Sequence, residues 1–537
     1  MLNIGIDFGT SNIRVSIKER DKLPRSLRIG TNPLFEFSMP SVAYWDKSGM
    51  IKVGEVAAAM AGPGKISHIK RYMQRRPEDL KHQTYQWKGD HISIGGKELH
   101  VKSIIKAIVK EAIRRAYLKL KEEKVASENV SWDAVNIGSP LDFDLKYRRM
   151  LSEILIELGF RTTLNNVIDE PVASAVLLTY YVLEEVKTIL IFDCGAGTLD
   201  VALLSIERSP KQPQISVIAE AGRCLAGVDF DRLIAQVLIE RIMQECKITS
   251  EQEILLELGS GSEEFGKLRL YETAERFKIS LSNQPVVLEH LSFGGRILNI
   301  KITQGEFENR ARKLLLHIKD TVESCIRTAA ELSGSKFSGS NIDTVILVGG
   351  TSKIPCVQKL LISQFGRNRF YTEKLPDPLR SVVEGLAFSK DYENVILKRP
   401  PYSIVLEAVL RNGARQSRVI HEAFDRLYPW WKAYQQSVPQ KVKIVSFDEK
   451  IEELEIYYRS PTGRSIKAVE VKRGLFKGTQ HLEIVYSILG LLTIRDTSSR
   501  ISVRCRTPYW SQAMLAKEEQ EYIVSRFSLP DVYPNEN

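Results

Sequence analysis

The feature that most narrows the fold of this 537-residue chain is a local pattern that occurs twice. Asn3 to Ile17 runs NIGIDFGTSNIRVSI, and Thr188 to Ile206 runs TILIFDCGAGTLDVALLSI. Each is an apolar, β-rich stretch that passes an aspartate (Asp7 or Asp193), makes a Gly-rich turn, and returns as a second β-rich stretch. The repetition predicts an internal structural duplication. A third apolar strand, in TVILVGGTSKIP from Thr344 to Pro355, ends on Gly349 and Gly350.

Long helical patterns fill the intervals: residues 101–124, 145–158, 230–246, 264–282 and 306–333, with a last helix-like stretch ending near Asp391. A strand-like run, Ala134 to Ile137, leads into Pro140. Strands interleaved with helices predict an α/β unit over residues 1–390. From 402 to 510 the texture changes to apolar–polar alternation, as in KVKIVSF, ELEIYY and LEIVYSI, which predicts a smaller antiparallel β domain. Residues 391–401 read as a linker with an apolar centre, Val395, Ile396 and Leu397. Residues 511–537 read as a short tail, helical over 511–526.

Hydrophobic residues at 43% and charged residues at 26% exclude a mostly disordered chain. The longest apolar run, Val172 to Leu183, is too short to span a bilayer, and MLNIGIDFG does not resemble a secretory signal. Six cysteines without a CxxC pair read as reduced thiols of a cytoplasmic protein, and the dispersed histidines predict no zinc site. The net charge of +10 is spread, with short clusters at Lys70-Arg71, Arg75-Arg76 and Arg148-Arg149. It reads as a solvated basic surface rather than a nucleic-acid footprint.

Glycine lets backbone amides approach a phosphate, and successive amides form an anion nest. Gly9-Thr10-Ser11-Asn12, Gly195-Ala196-Gly197-Thr198 and Gly349-Gly350-Thr351 all have this character, with hydroxyl donors added. An aspartate at the end of a buried strand is placed to hold hydrated Mg²⁺ beside phosphates. Any one turn alone would be read as an ordinary hairpin, and Asp-x-Gly-Thr also opens aspartic proteases. Three turns in this order, with long helical spacers, argue against both. Neither a Walker A pattern nor a GxGxxG after a strand is present.

The chain resembles the seventy-kilodalton heat-shock chaperones of the actin-like ATPase superfamily. The matching runs are IGIDFGTSN, VGEVAAAM, ISHIKRYM, NVIDEPVASAV, IFDCGAGTLDVALL, LAGVDFDRLI, AERFKISLS and VILVGGTSKIP, in the family's order over about residues 1–390. The resemblance implies two similar lobes around a cleft for ATP or ADP with Mg²⁺, K⁺ being a further ion. It assigns Asp7 and Asp193 to the metal through water. It places Gly9, Thr10, Ser11, Asn12, Gly195, Ala196, Gly197, Thr198 and Gly227 around the phosphates. It puts Glu275, Lys278 and Ser282 at the adenosine, with Gly349, Gly350, Thr351 and Lys353 completing the nucleotide site. Lys70 and Glu170 would act in catalysis with Asp7, Asp193 and Thr198. Read on its own, Lys70 is a surface lysine in a basic stretch, and Glu170 a carboxylate at a helix N-terminus. Pro140 and Arg148 match the family's interdomain relay, with Val395, Ile396 and Leu397 as its linker. They read equally well as a strand-ending proline and a solvated arginine.

The sequence departs from the family at Ala196 and Ala226, where glycines are usual. It also departs at Ile279 and Lys353, where arginines are usual. NVILKRPPYSIVLEA and LEIVYSILGLLTIRDTSS resemble the entry and the late hairpin of the family's peptide-binding β-sandwich, with Leu406 and Val409 near the peptide. Trp430-Trp431 reads as a partner patch or as core aromatics. The tail after Trp510 leaves room for one helix in place of the family's lid. The implied partners are extended or unfolded peptides, or one dedicated protein client, with a J-domain co-chaperone and a nucleotide exchange factor. Two other functions fit: a nucleotide-gated scaffold with slow or no hydrolysis, and a small-molecule kinase of the same superfamily.

Overall fold

The computed structural model describes residues 2–506 apart from 21, 47, 63, 75–85, 89, 95–96, 126–131, 142, 144, 163–165, 179–180, 182–187, 208–213, 333–336, 371–376, 389–395, 398–402, 422–439, 460–464, 470–473, 488–490 and 499–501. Val395, Trp430-Trp431 and the expected tail helix lie outside these residues.

The duplicated motif builds two sheets of matching topology. In lobe I the strand Leu2–Phe8 pairs antiparallel with Asn12–Glu19 across the first Gly turn and parallel with Trp132–Ser139. In lobe II the strand Thr188–Cys194 pairs antiparallel with Leu199–Glu207 across the second turn and parallel with Thr344–Val348. Each central strand is buried along nearly its whole length, as in Ile4, Ile6 and Phe8, and Leu190, Ile191 and Phe192. The hydrophobic core therefore divides by lobe. One cluster joins the first sheet to the helix Val101–Glu122, and another joins the second sheet to Gly227–Cys246, Glu263–Leu281 and Gln304–Leu332.

Between the sheets lie two short helices, Glu170–Leu178 and Ser381–Leu386, which cross at Ala173 and Gly385. A Cβ on Gly385 would overlap the Ala173 carbonyl, so the backbones meet with no side chain between them. Gly5 of the first strand is held equally tightly against Val383, and Ser16 Oγ donates to the Val383 carbonyl. Asn136 Nδ2 donates to the Leu386 carbonyl at 2.9 Å. This crossing fixes where the lobes meet.

Three details differ from the sequence expectation. The helix expected from residue 230 begins at Gly227, because Asp229 accepts from the Ala226 amide (2.7 Å) and caps the extra turn. A hairpin, Val286–Phe293 with Arg296–Thr303, fills the gap before the helix Gln304–Leu332. The basic clusters are also not all surface. Lys70, Arg71 and Arg148 are 2%, 1% and 2% exposed, because each has a carboxylate partner inside the fold.

The linker residues Ile396–Leu397 form a two-residue strand beside Ile215 and Ser216, extending the lobe II sheet by one strand. Beyond it, residues 403–506 build two four-stranded antiparallel sheets, with buried alternate residues such as Ile404, Leu406 and Ala408 in one and Leu482 and Ile484 in the other. Leu406 is fully buried, so of the two residues expected near a peptide only Val409 is partly exposed.

Gly385→Ala is expected to cost about 2 kcal/mol or more, because the helix crossing has no room for a methyl group. It should lower the thermal midpoint of the full chain. A midpoint equal to wild type would show that the crossing relaxes freely.

Candidate functional site

The three Gly turns converge where the lobes meet. In the first, the Gly9 amide donates to the Asn12 carbonyl at 2.9 Å; in the second, the Gly195 amide donates to the Thr198 carbonyl at 3.1 Å. These bonds close each turn while the amides of Thr10, Ser11, Ala196, Gly197 and Thr198 keep no acceptor among the described residues. The turns abut. A Cβ on Gly197 would overlap the Thr10 side chain. The third turn locks onto the second: Thr351 Oγ1 donates to the Gly195 carbonyl at 2.6 Å. Gly349 sits at φ +81°, where a Cβ would come 2.8 Å from Asp193 Oδ1. Glycine is needed there for both conformation and space.

The helix Gly227–Cys246 completes the junction differently from the expectation for Gly227. The Gly227 amide donates to the Gly195 carbonyl (3.2 Å) and the Val228 amide to the Ala196 carbonyl (2.8 Å). Those helix N-terminal donors are therefore used to fasten the second turn. Gly227 itself is pressed between Thr351, Lys278 and Ala196, so its lack of a Cβ is a packing requirement.

Asp7 and Asp193 are the penultimate residues of their strands at this junction and are 8% and 7% exposed. Glu170 opens the hinge helix nearby, and Lys70 Nζ donates to its Oε1 at 2.7 Å with both side chains nearly dry. Burial, then repulsion from Glu170 and Asp7, raises the Asp193 carboxyl well above the usual range. Burial also raises Glu170, with Asp7 adding repulsion and Lys70 opposing both. Carboxylates in this state are short of positive charge. Among the described residues no three His, Cys, Asp or Glu side chains converge as direct metal ligands. Two aspartates beside open amides and the buried, unpartnered Ser11 hydroxyl fit a hydrated cation with an anionic ligand.

On the far side, Glu275, Lys278 and Ser282 share one face of the helix Glu263–Leu281 and its cap. Lys278 is tied to Asp231 at 2.7 Å and to the Gly227 carbonyl at 3.2 Å. Ser282 Oγ donates to the Lys278 carbonyl at 2.9 Å. Ile279 is 49% exposed, and Lys353 lies 3.7 Å from Asp377 at the rim.

Arg148 donates to Asp169 and to the Pro140 carbonyl, and the next amide, Leu141, donates across the lobes to Asp200 Oδ1 at 3.1 Å. A chain of polar contacts thus runs from beside Glu170 to the partner strand of Asp193.

Two residues escaped the sequence reading. Arg71 reaches from lobe I to the Gly197 carbonyl and to Asp229 at 3.0 Å, and His68 takes a left-handed φ of +55° beside Glu275 and Lys278. Lys65 makes a further bridge between the lobes, to Glu272 at 2.5 Å. The signal for Arg71 was present in HIKRYM, but its neighbour Lys70 absorbed it.

A protein-family profile described as Hsp70 protein matches residues 3–387. A curated relative, the chaperone protein DnaK of Guillardia theta, is 30% identical over 377 residues, which is 67% of this chain and 55% of the relative. The chain thus matches little more than half the length of that relative.

Burial raises the Asp231 carboxyl to about 7, with Glu275 adding repulsion and Lys278 opposing. A carboxyl raised on folding stabilises the fold while protonated, so this contribution is full below about pH 4 and is lost as pH climbs toward 7. Asp231→Asn should therefore make the stability lost between about pH 5 and 7 smaller by roughly 2 kcal/mol. Urea unfolding of the nucleotide-free chain at matched ionic strength measures it; parallel pH profiles would contradict the assignment.

Proposed function

The chain belongs to the Hsp70 family, and on that premise we propose that it is an ATP-binding, ATP-hydrolysing chaperone. Its nucleotide state would control how its C-terminal β domain holds extended peptides or a protein client. The observation that carries the reading is the convergence of three Gly turns on two buried aspartates, of which Asp193 is pushed well above the usual carboxylate range by burial and by repulsion from Glu170 and Asp7.

Mg²⁺, held through water by Asp7 and Asp193, would neutralise phosphate charge when ATP is bound. The rest falls to the chain. The open amides of Thr10, Ser11, Ala196, Gly197 and Thr198, with the Ser11 hydroxyl, hold the phosphates in place. Lys70, buried against Glu170 at 2.7 Å, offsets negative charge at the reacting end. Glu170, raised by burial, orients the attacking water and takes its proton. Glu275, Lys278 and Ser282 line the nucleoside side, with Ile279 giving an apolar contact in place of a stacked guanidinium.

Readout to the β domain runs through Arg148, Pro140 and Leu141 to Asp200, and through the linker strand Ile396–Leu397 on the edge of the lobe II sheet. K⁺, a J-domain co-chaperone, an exchange factor and a cytoplasmic setting belong to the same reading. A scaffold with slow hydrolysis is favoured by one observation. Ala196 and Gly227 pack so tightly that the helix amides serve the turn and not the phosphates.

Lys70→Ala in the full chain should abolish phosphate release while ATP binding, measured by calorimetry, stays within a few-fold. Unchanged turnover would remove Lys70 from the mechanism. ATP should also speed release of a fluorescent hydrophobic peptide, read by anisotropy. Absence of peptide binding in every nucleotide state would leave the scaffold reading.

A further inference from the structure

Arg71 is the largest fully buried side chain among the described residues, and it crosses the lobe boundary. Its segment belongs to lobe I, packed by Ile66 and Ile69, whereas Gly197 and Asp229, to which it donates, belong to lobe II. Asp229 compensates its charge. Asp229 Oδ1 accepts from Arg71 at 3.0 Å and from Arg232 at 3.1 Å, while Oδ2 takes the Ala226 amide at the start of the helix. A carboxylate so fastened at a helix N-terminus holds the guanidinium in one place.

Arg71 also donates to the carbonyl of Gly197, to which Cys224 Sγ points at 4.0 Å. A peptide unit is planar, so its carbonyl and the following amide face opposite ways. Fixing the Gly197 oxygen on Arg71 turns the Thr198 N–H away from Arg71, and that amide has no acceptor among the described residues. Were the peptide to flip, the turn would present a carbonyl oxygen where it now presents an amide. An oxygen there repels an anion. Glycine at 197 removes the steric barrier that would otherwise oppose such a flip, so the orientation has to be imposed from outside the turn.

We propose that Arg71 is a positioning residue of the phosphate site: it sets the Gly197–Thr198 peptide with its amide available to phosphate, and does so only while the lobes are closed. This rests on the reading that the cleft holds ATP. Arg71 touches no phosphate itself; it acts through the peptide it holds. The phosphate nest is then incomplete in an open cleft and is finished by closure.

The experiment compares ATP and adenosine binding to the full-length wild type, Arg71→Ala and Arg71→Lys. Arg71→Ala should lose about tenfold in ATP affinity while adenosine, which has no phosphate, changes less than about twofold. A lysine cannot reach both Gly197 and Asp229, so Arg71→Lys should recover ATP affinity only in part. Lys65→Met serves as a control, because it breaks a different bridge between the lobes, at Glu272. It should weaken ATP and adenosine by similar factors. Thermal unfolding reports whether each variant folds, and if the alanine variant does not, the ATP-to-adenosine ratio of Arg71→Lys decides. Equal losses for ATP and adenosine in the Arg71 variants would make the residue a simple lobe clamp and overturn the proposal, as would unchanged ATP affinity in a folded variant. A wild type that binds no ATP would instead defeat the functional reading on which it rests.

Discussion

The crossing of the helices Glu170–Leu178 and Ser381–Leu386 sets the scale of everything else. At Ala173 and Gly385 the two backbones touch directly. The lobes therefore meet at a point where close packing leaves little room for sliding, and hinge rotation about such a point is one of the domain motions open to a two-lobed fold. The Gly turns lie at the ends of strands flanking the crossing, so a small rotation there changes the distance between Thr10 and Gly197, which are now in contact. The chemistry has been placed where this movement acts on it.

Electrostatics pulls the same way. Asp7, Glu170 and Asp193 repel one another in a buried space, and burial raises two of them. Against them stand Lys70, paired with Glu170, and Arg14, 3.5 Å from Asp7, while Lys65 and Arg71 of the same lobe I segment as Lys70 reach across to Glu272 and Asp229. Buried ion pairs of this kind add little net stability, because desolvation offsets much of the attraction. Their effect is to favour one arrangement of the lobes over others. The basic composition, which looked like a uniform surface property, is in part this internal counter-charge.

The turns were legible because their signal is local: an apolar strand, an aspartate and glycines within ten residues specify a close backbone approach. The lobe duplication followed from seeing that signal twice, and the strand pairings bear it out. The amphipathic helix Val101–Glu122 was equally plain, since its buried positions follow the helical period. What could not be read depends on contacts distant in sequence. Nothing near Arg71 says that Asp229 will neutralise it, so two adjacent basic residues read as solvated. Arg148 was left undecided for the same reason, its partner Asp169 being in another element. The packing role of Gly227 was not visible either. Sequence shows that glycine is there, and only packing shows that Thr351, Lys278 and Ala196 leave no room for anything else.

The linker strand has a further consequence. A sheet that ends in an open strand offers its unpaired backbone groups to any extended chain nearby. Ile396–Leu397 occupies that margin beside Ile215 and Ser216. Two residues make few hydrogen bonds, each worth on the order of 1 kcal/mol net. The cover is thus cheap to peel away, and once it is gone the bare margin becomes sticky. A protein of this shape must keep the time spent uncovered short, or its open margin becomes a seed for aggregation.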